Sequence, residues 1–251
     1  MTTAAAPVLT VHDLHVVFER EDATPVRAVH GVSFELRAGE ILGVLGESGS
    51  GKTTLGRCIA GLLPPSAGRL EFADGYAGSV QMVFQESATA LDPRLPIWRS
   101  VAEAASGGRS TGRRWLPRAL EELRRVGLTR DQALKLPREL SGGQRQRAGI
   151  ARALASGARI LVCDEAVSAL DVSVRARVLN LIAALRRETG ASFVFISHDL
   201  GVVAHLADRI LVMRDGGIVE QGATRDLVEH PGDPYTRHLL DAVPDLEPCS
   251  A

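Results

Sequence analysis

Aromatic residues make up only 4% of the 251-residue chain, too few to build the stacking platforms on which single-stranded nucleic acid is held. Lysine and arginine number 29 against 30 aspartates and glutamates, a formal net charge of −1. The basic surface demanded by phosphate backbones is therefore lacking, and no nucleic-acid partner is expected. No apolar run approaches the roughly 20 residues that span a bilayer. Met1 to Thr10 carry neither a basic residue nor a long apolar stretch, so a secretory signal is not expected. The cysteines Cys58, Cys163 and Cys249 lie far apart and form neither a disulfide framework nor a CxxC metal pair. What remains is 45% hydrophobic, over a length suited to one large domain or two small ones, and points to a soluble α/β protein with a sizeable core.

Short apolar runs alternate with helical patterns and Gly-rich turns, the order expected of a largely parallel sheet. Val8 to Phe18 and Val26 to Leu36 read as strands, and Ile41 to Leu45 as a short buried one. Thr53 to Leu62 reads as a helix stopped by Gly61, Pro64 and Pro65. From about residue 86 to 140 the character changes to a mainly helical insertion, with a flexible loop expected near Ser106 to Gly112. Strands resume at Ile160 to Cys163, Ser192 to Ser197 and Arg209 to Met213, and Asp215-Gly216 turns the chain into Ile218 to Glu220. Between them, Asp171 or Ser173 can cap a helix with Val174, Val178, Leu181, Ile182 and Leu185 on one face.

The sharpest motif is Gly46-Glu47-Ser48-Gly49-Ser50-Gly51-Lys52-Thr53, followed by Thr54, set between an expected strand and an expected helix. That context is the one a phosphate loop requires. Its glycines let the backbone wrap phosphate oxygens at a helix N-terminus. Lys52 adds a point charge, and Thr53 offers a hydroxyl to Mg²⁺. The Ile160 to Cys163 strand runs into Asp164-Glu165. Alternation along a strand points these two carboxylates differently, Asp164 toward the metal and Glu165 toward an attacking water. A third motif, Leu140-Ser141-Gly142-Gly143-Gln144, opens a helix and could cradle another anion.

Together these motifs resemble an ATP-binding-cassette ATPase, and the resemblance covers nearly the whole chain. It implies an α/β phosphate-loop fold: a RecA-like core, an antiparallel β subdomain and a helical subdomain at about 86–150. The ATPase domain would span 1–229, with 230–251 as a short tail. It also implies that Leu140 to Gln144 form the signature motif, that Gln85 contacts the metal or water, and that Ser168-Ala169-Leu170-Asp171 form the D-loop. His198 becomes the switch histidine and Phe18 the aromatic that stacks on adenine. The cofactors implied are ATP and Mg²⁺. His12, His15, His30, His205, His230 and His238 are read as surface or packing residues.

In this family one chain's signature serves another chain's phosphate loop, so a head-to-tail pair of cassettes is implied, with ATP between Lys52 of one and Ser141-Gly142-Gly143 of the other. The phosphate loop, Val83-Phe84-Gln85-Glu86-Ser87 with Leu91-Asp92-Pro93-Arg94, and His230-Pro231-Gly232-Asp233-Pro234-Tyr235-Thr236 look like the peptide/nickel importer branch. That branch implies two membrane permease subunits, an extracytoplasmic binding protein, a second ATPase (a different chain favoured over an identical copy) and a peripheral place on the cytoplasmic side of the membrane. The implied cargo is a short peptide. The alternatives are nickel or a metal chelate, an exporter role, or a cassette ATPase outside transport. Ala166 stands where most of the family has Pro, which is expected to loosen its loop, and Cys249 reads as an ordinary tail thiol.

Overall fold

The computed structural model describes residues 6–20, 23–84, 91–110, 112–168 and 170–241. Gln85 to Ala90, Ala169 and Cys249 lie outside them. In chain order the elements are β1 (Pro7–Arg20), β2 (Ala23–Arg37), β3 (Ile41–Leu45), α1 (Lys52–Ile59), β4 (Ala67–Phe72) and β5 (Val80–Val83). Helices α2 (Ile97–Ala105), α3 (Leu116–Arg125), α4 (Arg130–Ala133) and α5 (Gly142–Ala155) follow. Then come β6 (Ile160–Asp164), α6 (Val172–Thr189), β7 (Ser192–Ser197), α7 (Leu200–Leu206), β8 (Arg209–Arg214), β9 (Gly217–Ala223), α8 (Thr224–Glu229) and α9 (Pro234–Asp241).

Six strands form one sheet in the order β5-β6-β7-β3-β8-β9. It is parallel except for the β8–β9 hairpin. β3, β6 and β7 are buried along their whole lengths, which explains why they appear in the sequence as continuous apolar runs. Their side chains alternate between two cores. Ile41, Leu45, Leu161, Cys163, Phe193 and Phe195 face the helices. Leu42, Val44, Ile160, Val162, Val194 and Ile196 face α1 and a three-stranded antiparallel sheet, β2-β1-β4. A largely parallel sheet covered on both faces is the outcome expected of such a pattern.

The helical region packs through Ile97, Trp98, Val101, Leu123, Val126 and Leu140 into the first of these cores. Within it Glu122 is completely buried and ion-paired to Arg118 at 2.8 Å and Arg125 at 3.0 Å. Arg125 also reaches Glu188 of α6 at 2.9 Å, tying this region to the sheet's helical layer. The turn after α2 is better fastened than its glycines suggest. The buried Ser106 hydroxyl accepts the N–H groups of Arg109 (3.1 Å) and Ser110 (2.9 Å). In α9, Tyr235 belongs to the helix-side core and Leu239 and Leu240 pack against it.

Candidate nucleotide site

Because β6, β7 and β3 are neighbours and run parallel, their carboxyl ends open on one edge of the sheet, the place where open α/β sheets bind ligands. β3 leads into Gly46 to Gly51, β6 ends at Asp164, and His198 follows β7. A cleft of about 890 Å³ lies there, lined by Glu47 to Gly49, Gly51 to Thr54, Glu165, His198 and, from the antiparallel layer, Val26 to Ala28.

The loop is held by its surroundings before any ligand arrives. A Cβ on Gly46 would lie 2.2 Å from the Met213 carbonyl, and one on Gly51 would lie 2.2 Å from that of Ala28. Both residues have positive φ, 156° and 98°, so only glycine fits there. Gly49 differs: a Cβ would meet nothing within 4 Å, and its backbone borders the open cleft. Ser50 accepts the Gly216 N–H through its carbonyl at 3.1 Å. His30, read from sequence as a surface or packing residue, supports that same turn. Its N–H donates to the Gly216 carbonyl at 2.9 Å, and its ring contacts the Asp215 carbonyl at 2.7 Å.

Lys52 is 6% exposed. Its Nζ donates to the carbonyls of Gly46 and Glu47, both at 2.7 Å, and to Ser50 Oγ at 3.3 Å. Burial pulls its pKa below the ordinary lysine value, opposed by Glu165, Asp164 and Glu47. Thr53 Oγ1 donates to Asp164 Oδ1 at 3.0 Å. Burial is the largest cause raising the Asp164 pKa, and the neighbouring Glu165 raises it further.

Strand alternation alone does not separate the two carboxylates. β6 stops at Asp164, and Glu165 turns out of it with φ 50°, a left-handed conformation uncommon outside glycine. Its N–H still donates to the Ile196 carbonyl at 3.0 Å, while Oε1 meets His198 Nδ1 at 2.8 Å. The segment after His198 is fixed by Asp199, which caps α7 through the Val202 N–H (3.1 Å) and pairs with Arg175 of α6 (2.9 Å). The expectation of a looser loop at Ala166 meets a residue that is 2% exposed and part of the helix-side core.

The signature segment does not line this cleft. Ser141 caps α5, accepting the Gln144 N–H at 3.3 Å while Gln144 Oε1 accepts the Ser141 N–H at 2.9 Å, a capping box. Ser141 and Gly142 are exposed. Gly143 is buried for packing, since a Cβ there would lie 2.4 Å from Val174 Cγ1 of α6. Asp171 occupies the N-cap position of α6 without a side-chain capping bond, and the next residue, Val172, is 80% exposed. Phe18, 42% exposed, pairs across the β1–β2 ladder with Val26, a cleft residue, and is not itself part of the lining. The buried thiols take no part: burial raises Cys58 to about 11 and Cys163 to about 12.

Sequence reasoning missed one contact to the loop. Tyr235, noted only as part of the tail motif, accepts the Glu47 N–H through its hydroxyl at 3.1 Å. The pairing spans 188 positions, so no local pattern could reveal it.

The family model described as ABC transporter matches residues 29–168. The probable D,D-dipeptide transport ATP-binding protein DdpF of Escherichia coli (strain K12) is 40% identical over 247 residues, 96% of this chain and 80% of its own. The oligopeptide transport ATP-binding protein OppD of Mycobacterium tuberculosis (strain ATCC 25618 / H37Rv) is 44% identical over 89% of this chain, which spans only 39% of that protein. Among solved structures, the dimeric post-hydrolysis state of the ATP-binding cassette MJ0796 bound to ADP and Pi matches with a TM-score of 0.75. It is 27% identical and covers 86% of this chain and 99% of its own. A family model matching more than half of the chain, and a relative aligned along almost all of it, show that the protein belongs to the ATP-binding-cassette family of transporter ATPases.

Proposed function

We propose that this chain powers the import of short peptides by hydrolysing ATP on the cytoplasmic face of a membrane, coupled to two separate permease subunits and an extracytoplasmic binding protein. The observation that carries the ATPase half is the gathering of Lys52, Thr53, Asp164, Glu165 and His198 at one sheet edge. The peptide half is supported by relatives named for oligopeptide and D,D-dipeptide transport. Among the described residues no helix is long and apolar enough to cross a membrane, in keeping with a path supplied by other chains.

The residues present suit a magnesium nucleotide. Gly49 leaves room beside the loop, the Lys52 ammonium stands among loop oxygens, and Thr53 and Asp164 offer an all-oxygen set, the chemistry that hard cations prefer. When bound, Mg²⁺ neutralises charge on the phosphates. Lys52 and the loop amides bind those phosphates, Thr53 and Asp164 hold the cation with Gln85, and Phe18 stacks on the base. Glu165 accepts the proton of the attacking water, and His198, already against its Oε1, holds that carboxylate in line. Ser141, Gly142, Gly143 and Gln144, with Asp171, act on the nucleotide of a second cassette, in a heterodimer.

The cargo is tested by placing the chain, its permeases and its binding protein in proteoliposomes. Short peptides should stimulate ATP hydrolysis several-fold. Stimulation by a nickel chelate and not by peptides would replace the proposed cargo. Hydrolysis by the purified cassettes that no permease alters would favour a role outside transport.

A further inference from the structure

We propose that the tail helix α9 is a buttress for the phosphate loop and that Tyr235 is a positioning residue for nucleotide binding. The proposal rests on the reading of Gly46 to Thr53 as the ATP site and adds a determinant of its affinity. Glu47 is the second residue of that loop, and its N–H is committed to the Tyr235 hydroxyl at 3.1 Å. That amide is thereby turned to the tail, and the others of the loop are left to meet phosphate.

The tyrosine is itself fixed from several directions. It is 7% exposed, and the Arg214 guanidinium at the end of β8 stands 5.1 Å from its ring centre. Asp233 Oδ1 accepts the Tyr235 N–H at 2.7 Å. The turn before α9 is pinned to β9, where the Glu220 carboxylate accepts the N–H groups of Gly232 (2.8 Å) and Asp233 (3.1 Å). Contact therefore runs unbroken from β9 through Glu220, the 232–233 turn and Tyr235 to Glu47. Burial raises the Tyr235 pKa, so the hydroxyl stays protonated and neutral beside the loop.

The Glu47–Tyr235 contact is part-buried, and an N–H that loses its acceptor there carries part of a desolvation cost. Without the hydroxyl, the empty loop can relieve that cost by leaving the conformation phosphate needs, and binding must then restore it. The effect falls on affinity, since the saturated site has already been ordered.

The test is calorimetric titration of Mg-ATP into the purified chain, paired with steady-state kinetics of the chain assembled with its second cassette and permeases. Tyr235→Phe keeps the ring and the Arg214 contact and removes only the hydroxyl. Its Kd and KM for ATP should rise together by roughly 3- to 10-fold, with kcat at saturation moving less than 2-fold. Glu220→Gln, which loosens the turn, should shift affinity the same way by less, and it carries the test if the first variant does not fold. Leu123→Ala, a packing change in the buried core of the helical region and outside α9, should lower the unfolding temperature and leave affinity alone. Unchanged affinity in both Tyr235→Phe and Glu220→Gln, or an equal loss in Leu123→Ala, overturns the buttress. A wild-type chain that binds no ATP would instead overturn the site assignment.

Discussion

Lys52, Thr53, Asp164, Glu165 and His198 are all paired inside the chain, whereas Ser141 and Gly142 face solvent and the Ser141 hydroxyl accepts the Gln144 N–H of its own helix. The first group gathers where three parallel strands end, and its geometry is set by a buried sheet. The second sits at the start of α5, held by a local capping box and by the fit of Gly143 against Val174. The first region is proposed to receive phosphate within a single chain. The other has its backbone shaped and its outer residues exposed, and its proposed role is in a neighbour's site. The contrast can be broken from either side.

The largest effect belongs to the paired side. Glu165→Gln keeps size and removes the proposed base, so steady-state hydrolysis should fall by about 10²- to 10⁴-fold. ATP should still bind, and size-exclusion chromatography should show a nucleotide-trapped dimer. Retained turnover would move the base elsewhere and leave the Glu165–His198 contact a structural one.

On the exposed side, two adjacent glycines should respond in opposite ways. A Cβ on Gly142 meets only Leu170 Cδ2 at 3.7 Å, an ordinary contact. Gly142→Asp should therefore fold normally and bind ATP as the single chain. Its carboxylate at a helix N-terminus facing a partner's phosphates should lower turnover about 10- to 100-fold. Gly143→Ala forces a methyl into Val174, and overpacking of that kind costs about 1–3 kcal/mol. Thermal unfolding should show the loss in Gly143→Ala and not in Gly142→Asp. Equal destabilisation of both would mean that the signature turn is built for packing throughout.

The same contrast explains what could be read before the structure was known. Buried parallel strands leave unbroken apolar runs, so β3, β6 and β7 and the loop between β3 and α1 are plain in the sequence. The ends of the exposed elements are less so. β1 and β2 extend beyond Val8 to Phe18 and Val26 to Leu36, and the half-exposed β4 has no apolar run to mark it. Glu165 was expected to diverge from Asp164 by alternation, but its backbone leaves the strand at φ 50°, a tertiary effect with no residue signature. His30, Arg175 and Tyr235 support the site through partners 185, 24 and 188 positions away. Their roles depend on chain topology, and residue type alone could not reveal them.

The smallest expected effect concerns the cost of keeping the paired side charged. Asp164 is 7% exposed, and burial raises its pKa above the ordinary 3.8. A carboxyl whose pKa is higher folded than unfolded favours the folded state when protonated. That contribution is full below the unfolded value and lost as pH rises through the folded one. At neutral pH the ionised carboxylate therefore opposes folding of the nucleotide-free chain. Asp164→Asn keeps an acceptor for Thr53 and discards the charge. Its unfolding temperature without nucleotide should exceed that of the wild type at pH 7, and the gap should narrow as pH falls toward 4. Magnesium-dependent hydrolysis should drop in the same variant, because the charge that weakens the fold is the one proposed to hold the cation. A gap that stays constant with pH would show that side-chain packing, and not the buried charge, sets the difference.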